Sequence, residues 1–496
     1  MSDPVPPPAA PAPSAQLSSI QHIVQIMLEN RSFDHMLGFL YPDKTGPAGQ
    51  PFEGLLGTES NPDASGKPVT VFQIDTSKPG AYFMPGADPG EGYANTNSQL
   101  FGTGKAPSPP VATNRGFVTN YAASITWDEQ VHRTPVPGTV AANIMGVFPP
   151  SALPVLSGLA KGFAVCDHWY SSVPTQTFPN RAFACAGTSQ GHMNDGTSSY
   201  TVQSIFGLMT AHNLSWKIYG YTDEPLTRLN YPDTVNAPDT CIGKFADFQA
   251  DCANGTLPNY SFLEPSWSST GNSQHPNYDV ALGEQLLLQI YQALRSGPGW
   301  DQTLLLITYD EHGGLYDHVP PPGGAIPPDN SAGEFGFDFT RFGVRIPAVL
   351  VSPLIAPGTI FNVPAGAMPI DHTSVLKTIE LRWDLPPLTA RDAAAPDLSG
   401  VLTLSTPRTD DPLAGVVAPT SSGANPAVAE VSNLQSLHAQ MIGDLAVPNE
   451  QLIGAPALAN QSSPADFAHY IAARSGTWKS SVPLMPKDRW GSGWPR

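Results

Sequence analysis

The chain predicts an α/β fold: a mainly parallel central sheet sandwiched by helices, with long Pro/Gly-rich loop insertions. Three observations point there. The runs Thr303–Tyr309 and His22–Leu28 are apolar without alternation, the pattern of strands buried on both faces. Each run ends abruptly in acidic and polar residues, Asp310-Glu311-His312-Gly313-Gly314 in one and Glu29-Asn30-Arg31-Ser32 in the other, and sheets of this kind carry their ligands at the carboxyl ends of strands. The third is that 54 prolines and 45 glycines in 496 residues demand much ordered loop between regular elements.

A chain that is 41% hydrophobic can bury a large core, divided among two or three domains or held in one large α/β domain with insertions. With 24 basic against 42 acidic residues and a net charge of −18, a nucleic-acid partner held through phosphates is excluded, and contact with an anionic membrane surface is at most transient. A phosphorylated or zwitterionic small substrate is compatible, because a bound cation inverts the local sign. No apolar stretch reaches the length of a membrane-spanning helix. Residues 1–19 read as a flexible Pro/Ala-rich leader without a secretory pattern, so the chain as written is cytoplasmic, or exported if a leader precedes it. Four cysteines are too few for a framework; Cys241 and Cys252 bracket a short loop and could pair, while Cys166 and Cys185 read as core thiols.

Taken in order, the strand 22–28 delivers Glu29 and Asn30; if it neighbours the strand 303–309, those residues stand beside Asp310 and Glu311. Four oxygen-bearing side chains converging in this way need a cation to offset their repulsion. The alternative for Glu29-Asn30 is a helix start, with Asn30 or Ser32 capping 33–40. Residues 41–160 carry turn signals (Pro42-Asp43, Pro89-Gly90, Pro109-Pro110, Pro137-Gly138) and read as loops and short elements around a site mouth. Tyr93, Trp127, His132 and Met145 there are either substrate contacts or packing. A short strand is expected in 162–170. In Thr175-Gln176-Thr177-Phe178-Pro179-Asn180-Arg181, Pro179 suits the first helical position, which makes Phe178 the cap and sets Thr177 just ahead of a helix start. An anion is favoured at such a helix end, where a threonine hydroxyl can attack phosphorus while Arg181 or Asn180 holds the phosphoryl oxygens; the plainer role for Thr175 or Thr177 is a cap.

The segment 215–221 reads as an edge strand and 260–263 as a strand before the loop His275-Pro276-Asn277-Tyr278-Asp279. A helix over 280–295 follows, with Asp279 as its cap, which leaves His275 as a candidate general acid. Residues 345–352 form a further core strand. Asp371-His372-Thr373-Ser374 opens a helix over 375–382; His372 either helps to bind phosphate or metal, or packs behind a capping Asp371. Residues 385–435 read as a long surface connection. Amphipathic helices over 434–445 and about 465–473 pack back on the main domain.

Four of these stretches together resemble one family: Glu29-Asn30-Arg31-Ser32-Phe33-Asp34-His35; Ser172-Val173-Pro174 with Thr177, Pro179, Asn180 and Arg181; His275-Pro276 with Asp279; and Thr308-Tyr309-Asp310-Glu311-His312-Gly313-Gly314 with Tyr316, Asp317, His318 and Pro320. The chain is similar to the phosphoesterase family of bacterial and plant non-specific phospholipases C, which also contains acid phosphatases. The resemblance spans about residues 20–385 and fades beyond about 400. It implies an alkaline-phosphatase-like fold, a catalytic domain over 20–400 and a C-terminal extension over 401–496 packed on it.

The resemblance further implies metal ligands Glu29, Asn30, Thr177, Asp310 and Glu311, with Thr177 also the nucleophile. Supporting roles fall to His275 and Arg181 in catalysis, His372 beside them, and Asn180, His312 and His318 in phosphate binding. One or two divalent ions are expected, Ca, Mg, Mn or Zn, oxygen ligation favouring the harder three. The expected chemistry is metal-assisted phosphoryl transfer, on a phospholipid in a phospholipase C or on a soluble monoester in an acid phosphatase. A non-catalytic phosphate-ester-binding protein is disfavoured by the intact Thr177 and carboxylate set, and a sulfatase by threonine at the nucleophile position.

Overall fold

The structure is a computed structural model that describes residues 15–130, 135–222, 224–363, 366–423, 430–452 and 455–481. Of the candidate contacts, His132 lies outside the described residues, as do residues 1–14 of the leader. The end of that leader is helical, Ala15–Ser19, because Leu17 and Ile20 find places in the core.

Eight strands form the central sheet: β1 (His22–Leu28), β2 (Ala164–Cys166), β3 (Trp216–Gly220), β4 (Ile242–Lys244), β5 (Tyr260–Leu263), β6 (Thr303–Tyr309), β7 (Ala348–Val351) and β8 (Thr359–Ile360). Their spatial order is β8-β2-β7-β6-β1-β5-β3-β4. All run parallel except β7, which is antiparallel to both β6 and β2. Every residue of β6, and every residue of β1 except His22, is buried, as a sheet covered by helices on both faces requires. A polar pair survives inside it: the Gln25 amide donates to Thr308 Oγ1 at 3.3 Å and accepts from the Tyr260 hydroxyl at 2.9 Å.

Several sequence expectations are corrected. The expected edge strand, β3, lies one place in from the edge, which the three-residue β4 takes. The strand expected in 162–170 shrinks to β2, with Trp169 and Tyr170 making only isolated bridges to Ile370 and Arg345. Residues 41–160 are not only loops. They hold α2 (Tyr93–Phe101) and α3 (Phe117–Gln130), following the short α1 (Phe33–Leu37) that Ser32 caps by accepting from the His35 amide. The asparagines of α2 and the threonines of α3 blur the apolar period by which a helix is read from sequence. All four cysteines are free thiols, including Cys241 and Cys252.

Among the remaining helices, α4 (Pro154–Gly162) starts beside a carboxylate from α6, and α5 (Thr177–Ala186) carries Thr177. α6 (Val280–Ser296) is capped by Asp279, which accepts from the Ala281 amide, and α7 (Thr373–Trp383) begins after His372. Much of 385–423 is irregular but not detached: Leu398 and Val401 are fully buried. At the C-terminus α8 (Asn433–Asp444) and the long α9 (Pro464–Ser481) pack on each other and on Phe178, Leu226, Leu229 and Trp267.

Candidate active site

Register builds the site. β1 and β6 pair in step, Leu28 opposite Tyr309, so Glu29-Asn30 and Asp310-Glu311 leave the sheet side by side. The Asp310 amide donates to the Leu28 carbonyl at 3.2 Å, and the Asn30 amide donates to Asp310 Oδ1 at 2.9 Å. Asp310 Oδ1 also accepts from the Glu311 amide at 2.8 Å, and its other oxygen accepts from Arg181 Nε at 3.0 Å. Arg181 is therefore turned into the protein, its guanidinium also reaching the Met27 and Leu28 carbonyls and stacking 4.7 Å over Trp267. It fixes Asp310 rather than lining the cavity above.

α5 begins two residues before the position that Pro179 suggested: Thr177 is its first residue and Gln176 its cap, so Phe178 is not the cap. Gln176 makes no side-chain capping bond. The Phe178 amide is instead taken by Asp195 Oδ1 at 2.9 Å, a carboxylate whose pKa burial pushes up to about 7. Thr177 is almost fully buried, and its hydroxyl donates to Asn30 Oδ1 at 3.4 Å. Asn30 in turn donates through Nδ2 to Glu91 Oε1 at 2.7 Å. Asn180 faces away: its amide is spent on the backbone of Val173, Thr175 and Gln176, which it clamps into the approach to α5.

The carboxylates carry a charge problem. Glu29 Oε1 and Glu311 Oε1 are buried with no hydrogen-bond partner. Burial first, and the neighbouring Asp310 second, push the pKa of both glutamates well above the usual carboxylate range; Glu91 is raised by burial, Asp88 and Glu311. Buried carboxylate oxygens left unsatisfied are donors of the kind a hard divalent cation takes. The residues present therefore fit the expected ion. Asp310 is turned to Arg181 and Asn30, and Glu311 Oε2 to the Gly313 amide at 2.8 Å, which leaves the orphaned oxygens as the open ligands.

The histidines separate. His275 borders the cavity, with Nε2 3.5 Å from Glu91 Oε1 and Nδ1 4.0 Å from Asp88 Oδ1. The buried Arg31 donates to the Gln274 and His275 carbonyls at 2.5 and 2.9 Å and so fixes that loop. His372 Nε2 meets the Asp310 carbonyl at 2.7 Å; Nδ1 is buried without a partner, and burial lowers its pKa. His312 is pinned between Glu311 at 3.0 Å and Gln99 at 2.8 Å, its pKa pushed down by burial to about 3. His318 is elsewhere: it contacts Asp34 at 2.7 Å and Glu53 at 3.2 Å, in a buried cluster that Arg345 neutralises by pairing with Asp34 and Asp317 at 2.9 Å each. It does not reach the cavity above Thr177.

That cavity, about 840 Å³, is walled by Glu29 and Thr177, by His275 and Tyr278, and by residues the motifs did not single out, chiefly Asp88, Glu91, Asp128, Asp195 and Glu430. Among the described residues no lysine or arginine lines it. Among the described residues, Asp88, Glu91 and His275 bring candidate ligand atoms within 4.8 Å of one another. The available signal for them was the acidic spacing Asp88-Pro89-Gly90-Glu91 directly ahead of α2.

A family model described as the Phosphoesterase family matches residues 20–386. The chain belongs to the phosphoesterase family. As a phosphoesterase it is a hydrolase of phosphoric ester bonds. The chain is 36% identical over 426 residues to non-specific phospholipase C3 of Arabidopsis thaliana, covering 80% of this chain and 76% of that protein. With phospholipase C B of Mycobacterium tuberculosis it shares 29% over 456 residues, 80% of each chain. Among solved structures, the lipoteichoic acid synthase LtaP of Listeria monocytogenes is 12% identical with a TM-score of 0.33, covering 51% of this chain and 70% of that one. A protein in the alkaline phosphatase superfamily from Vibrio parahaemolyticus is 12% identical with a TM-score of 0.29, covering 51% and 64%. The phosphoesterase has no helix, among the described residues, long and apolar enough to cross a membrane.

Proposed function

We propose that this phosphoesterase is a metal-dependent phospholipase C, which cleaves glycerophospholipids to diacylglycerol and a phosphorylated head group through a phosphothreonine on Thr177. The observation that carries the reading is the Thr177 hydroxyl at the first residue of α5, hydrogen-bonded to Asn30 and set on the floor of a cavity that Glu29 shares. The names of the plant and mycobacterial relatives support the phospholipid as substrate.

A divalent ion held by Glu29, Asn30, Asp310 and Glu311 would favour the threonine alkoxide and offset charge on the phosphoryl oxygens. Asn30 holds the hydroxyl in place through its side-chain oxygen. Thr177 Oγ1, its proton released to water, forms a bond to phosphorus as the bond to the diacylglycerol oxygen breaks, and that oxygen takes a proton from His275, the imidazole bordering the cavity. Water then hydrolyses the phosphothreonine, releasing the phosphorylated head group and restoring the hydroxyl. Arg181 and His372 act from beneath, holding the Asp310 side chain and its carbonyl.

The test is hydrolysis of p-nitrophenylphosphorylcholine and p-nitrophenyl phosphate, side by side, by the native protein and Thr177→Ala, with and without a chelator. The expected result is turnover of the choline diester that the chelator abolishes and the substitution lowers by about 10³-fold or more, the scale of losing a covalent nucleophile. Turnover of the monoester alone would make this an acid phosphatase, and full activity in chelator would remove the metal from the mechanism.

A further inference from the structure

Beside the acidic cavity lies a second one, about 810 Å³, with a different lining. The two share Gly92, Asn95 and Gln176, so they adjoin at the start of α2 and at the residue before Thr177. Where the first is walled by carboxylates, the second is walled by Tyr93, Met193, Phe335 and Phe337, by Ala106, Pro107 and Pro110, and at its charged positions by Lys105, Asp338 and Arg341.

Phe335 is the unusual member. It is 68% exposed, yet it holds φ 55° and ψ 16°, a left-handed conformation that a bulky side chain rarely adopts. Its ring stacks on Tyr93 with centroids 5.7 Å apart and planes 10° from parallel, and Tyr93 meets Phe337 edge-on at 5.5 Å. Arg341 lies 5.3 Å over the Phe337 ring and donates to the Tyr93 hydroxyl at 3.2 Å, so its charge is directed into the wall. The loop that carries Phe335 is anchored: Glu334 accepts from the Met193 amide at 2.8 Å and from Asn194 at 2.6 Å, in the segment that also supplies Asp195 to the start of α5. A left-handed aromatic largely exposed to water costs stability, and the stack on Tyr93 is only a partial packing return.

We propose that this second cavity is the acyl subsite: it takes a fatty acyl chain of the phospholipid whose phosphate sits over Thr177, with Phe335 and Tyr93 as its aromatic wall. The inference rests on the phospholipase reading and adds to it where the apolar part of the substrate goes. A carboxylate-lined cavity suits a phosphate with its cations and a polar head group; an acyl chain needs the adjoining aromatic room.

The test uses the full-length protein and two variants, Phe335→Asp at the exposed rim and Ala106→Trp to fill the space. Specificity, as kcat/KM for dioctanoyl- over dibutyryl-phosphatidylcholine in monomeric solution, is expected to fall about tenfold in each variant, the factor that losing one good aromatic or apolar contact produces. Binding of a fluorescent diacylglycerol analogue to the chelated, non-reacting protein is expected to weaken by a similar factor. Unchanged probe affinity in both variants would overturn the acyl subsite even if both lipids are turned over. Weakened probe binding without turnover of either lipid would keep the subsite and discard the phospholipase reading.

Discussion

Gly313 holds φ 63°, and a Cβ at that position would lie 2.1 Å from the Asn30 carbonyl oxygen and 2.9 Å from Pro276 Cγ. One residue thus sets how closely the loop after β6 can approach both Asn30 and the His275 loop, and its amide also fixes Glu311. Gly313→Ala adds left-handed strain to a backbone clash. Thermal unfolding is expected to show a loss of at least about 1–3 kcal/mol, with activity on the choline diester falling further than stability alone explains; a variant as stable and active as the native protein would show that the loops are not so tightly coupled. The same scale shows what the sequence could and could not reveal. Glu29, Asn30, Asp310 and Glu311 were legible because two apolar runs ended in the same chemistry, and parallel pairing converts that coincidence into contact. His318 and Asn180 lie in equally conspicuous stretches, but their side chains are used up by Asp34 and Glu53 and by the 173–176 backbone. Direction of a side chain is decided by tertiary partners, which spacing does not encode.

At the scale of elements, the start of α4 depends on α6. Glu284, fully buried on α6, accepts from the Val155 and Leu156 amides at 2.7 and 3.0 Å and so caps a helix 129 positions away that has no side-chain cap of its own. Burial raises the Glu284 pKa to about 7. The folded protein then keeps a proton that the unfolded chain gives up near the usual carboxylate pKa. Its stabilising effect is full below that pKa and is lost as pH rises through about 7. In Glu284→Gln this slope between about pH 4.5 and 7 is expected to flatten, because the amide keeps one carbonyl acceptor and does not titrate. Denaturant unfolding across that window checks it; parallel stability curves for the two proteins would contradict it. Long, uninterrupted elements such as β6 and α6 were readable from their period. The antiparallel sense of β7 was not, because direction is fixed by the connection and not by the strand's own residues. α2 and α3 escaped for a different reason: few of their apolar residues recur at helical spacing, and their burial is completed by loops far away in sequence.

The whole molecule joins a buried acidic centre to a chain of net charge −18. Among the described residues no lysine or arginine lines the cavity, so on the proposed mechanism a bound cation would meet the negative charge around Thr177 when a phosphoester enters. The C-terminal helices take part in the same centre. Glu430 and Leu434 wall the cavity, while Leu434, Ile442, Tyr470 and Trp478 gather around Phe178, next to the nucleophile, although the family match ends at residue 386. That assembly was invisible in the sequence beyond the existence of the two helices, since their apolar faces do not name the surface they cover. The proposed mechanism stands on one atom, Thr177 Oγ1. The most direct measurement is to quench the metal-loaded protein in acid during turnover of a choline phosphodiester, digest it, and locate covalent phosphate by mass spectrometry. A phosphorylated head group on the peptide bearing Thr177, absent in Thr177→Ala, is the expected result. Full turnover by Thr177→Ala, or the adduct on another residue, would contradict it.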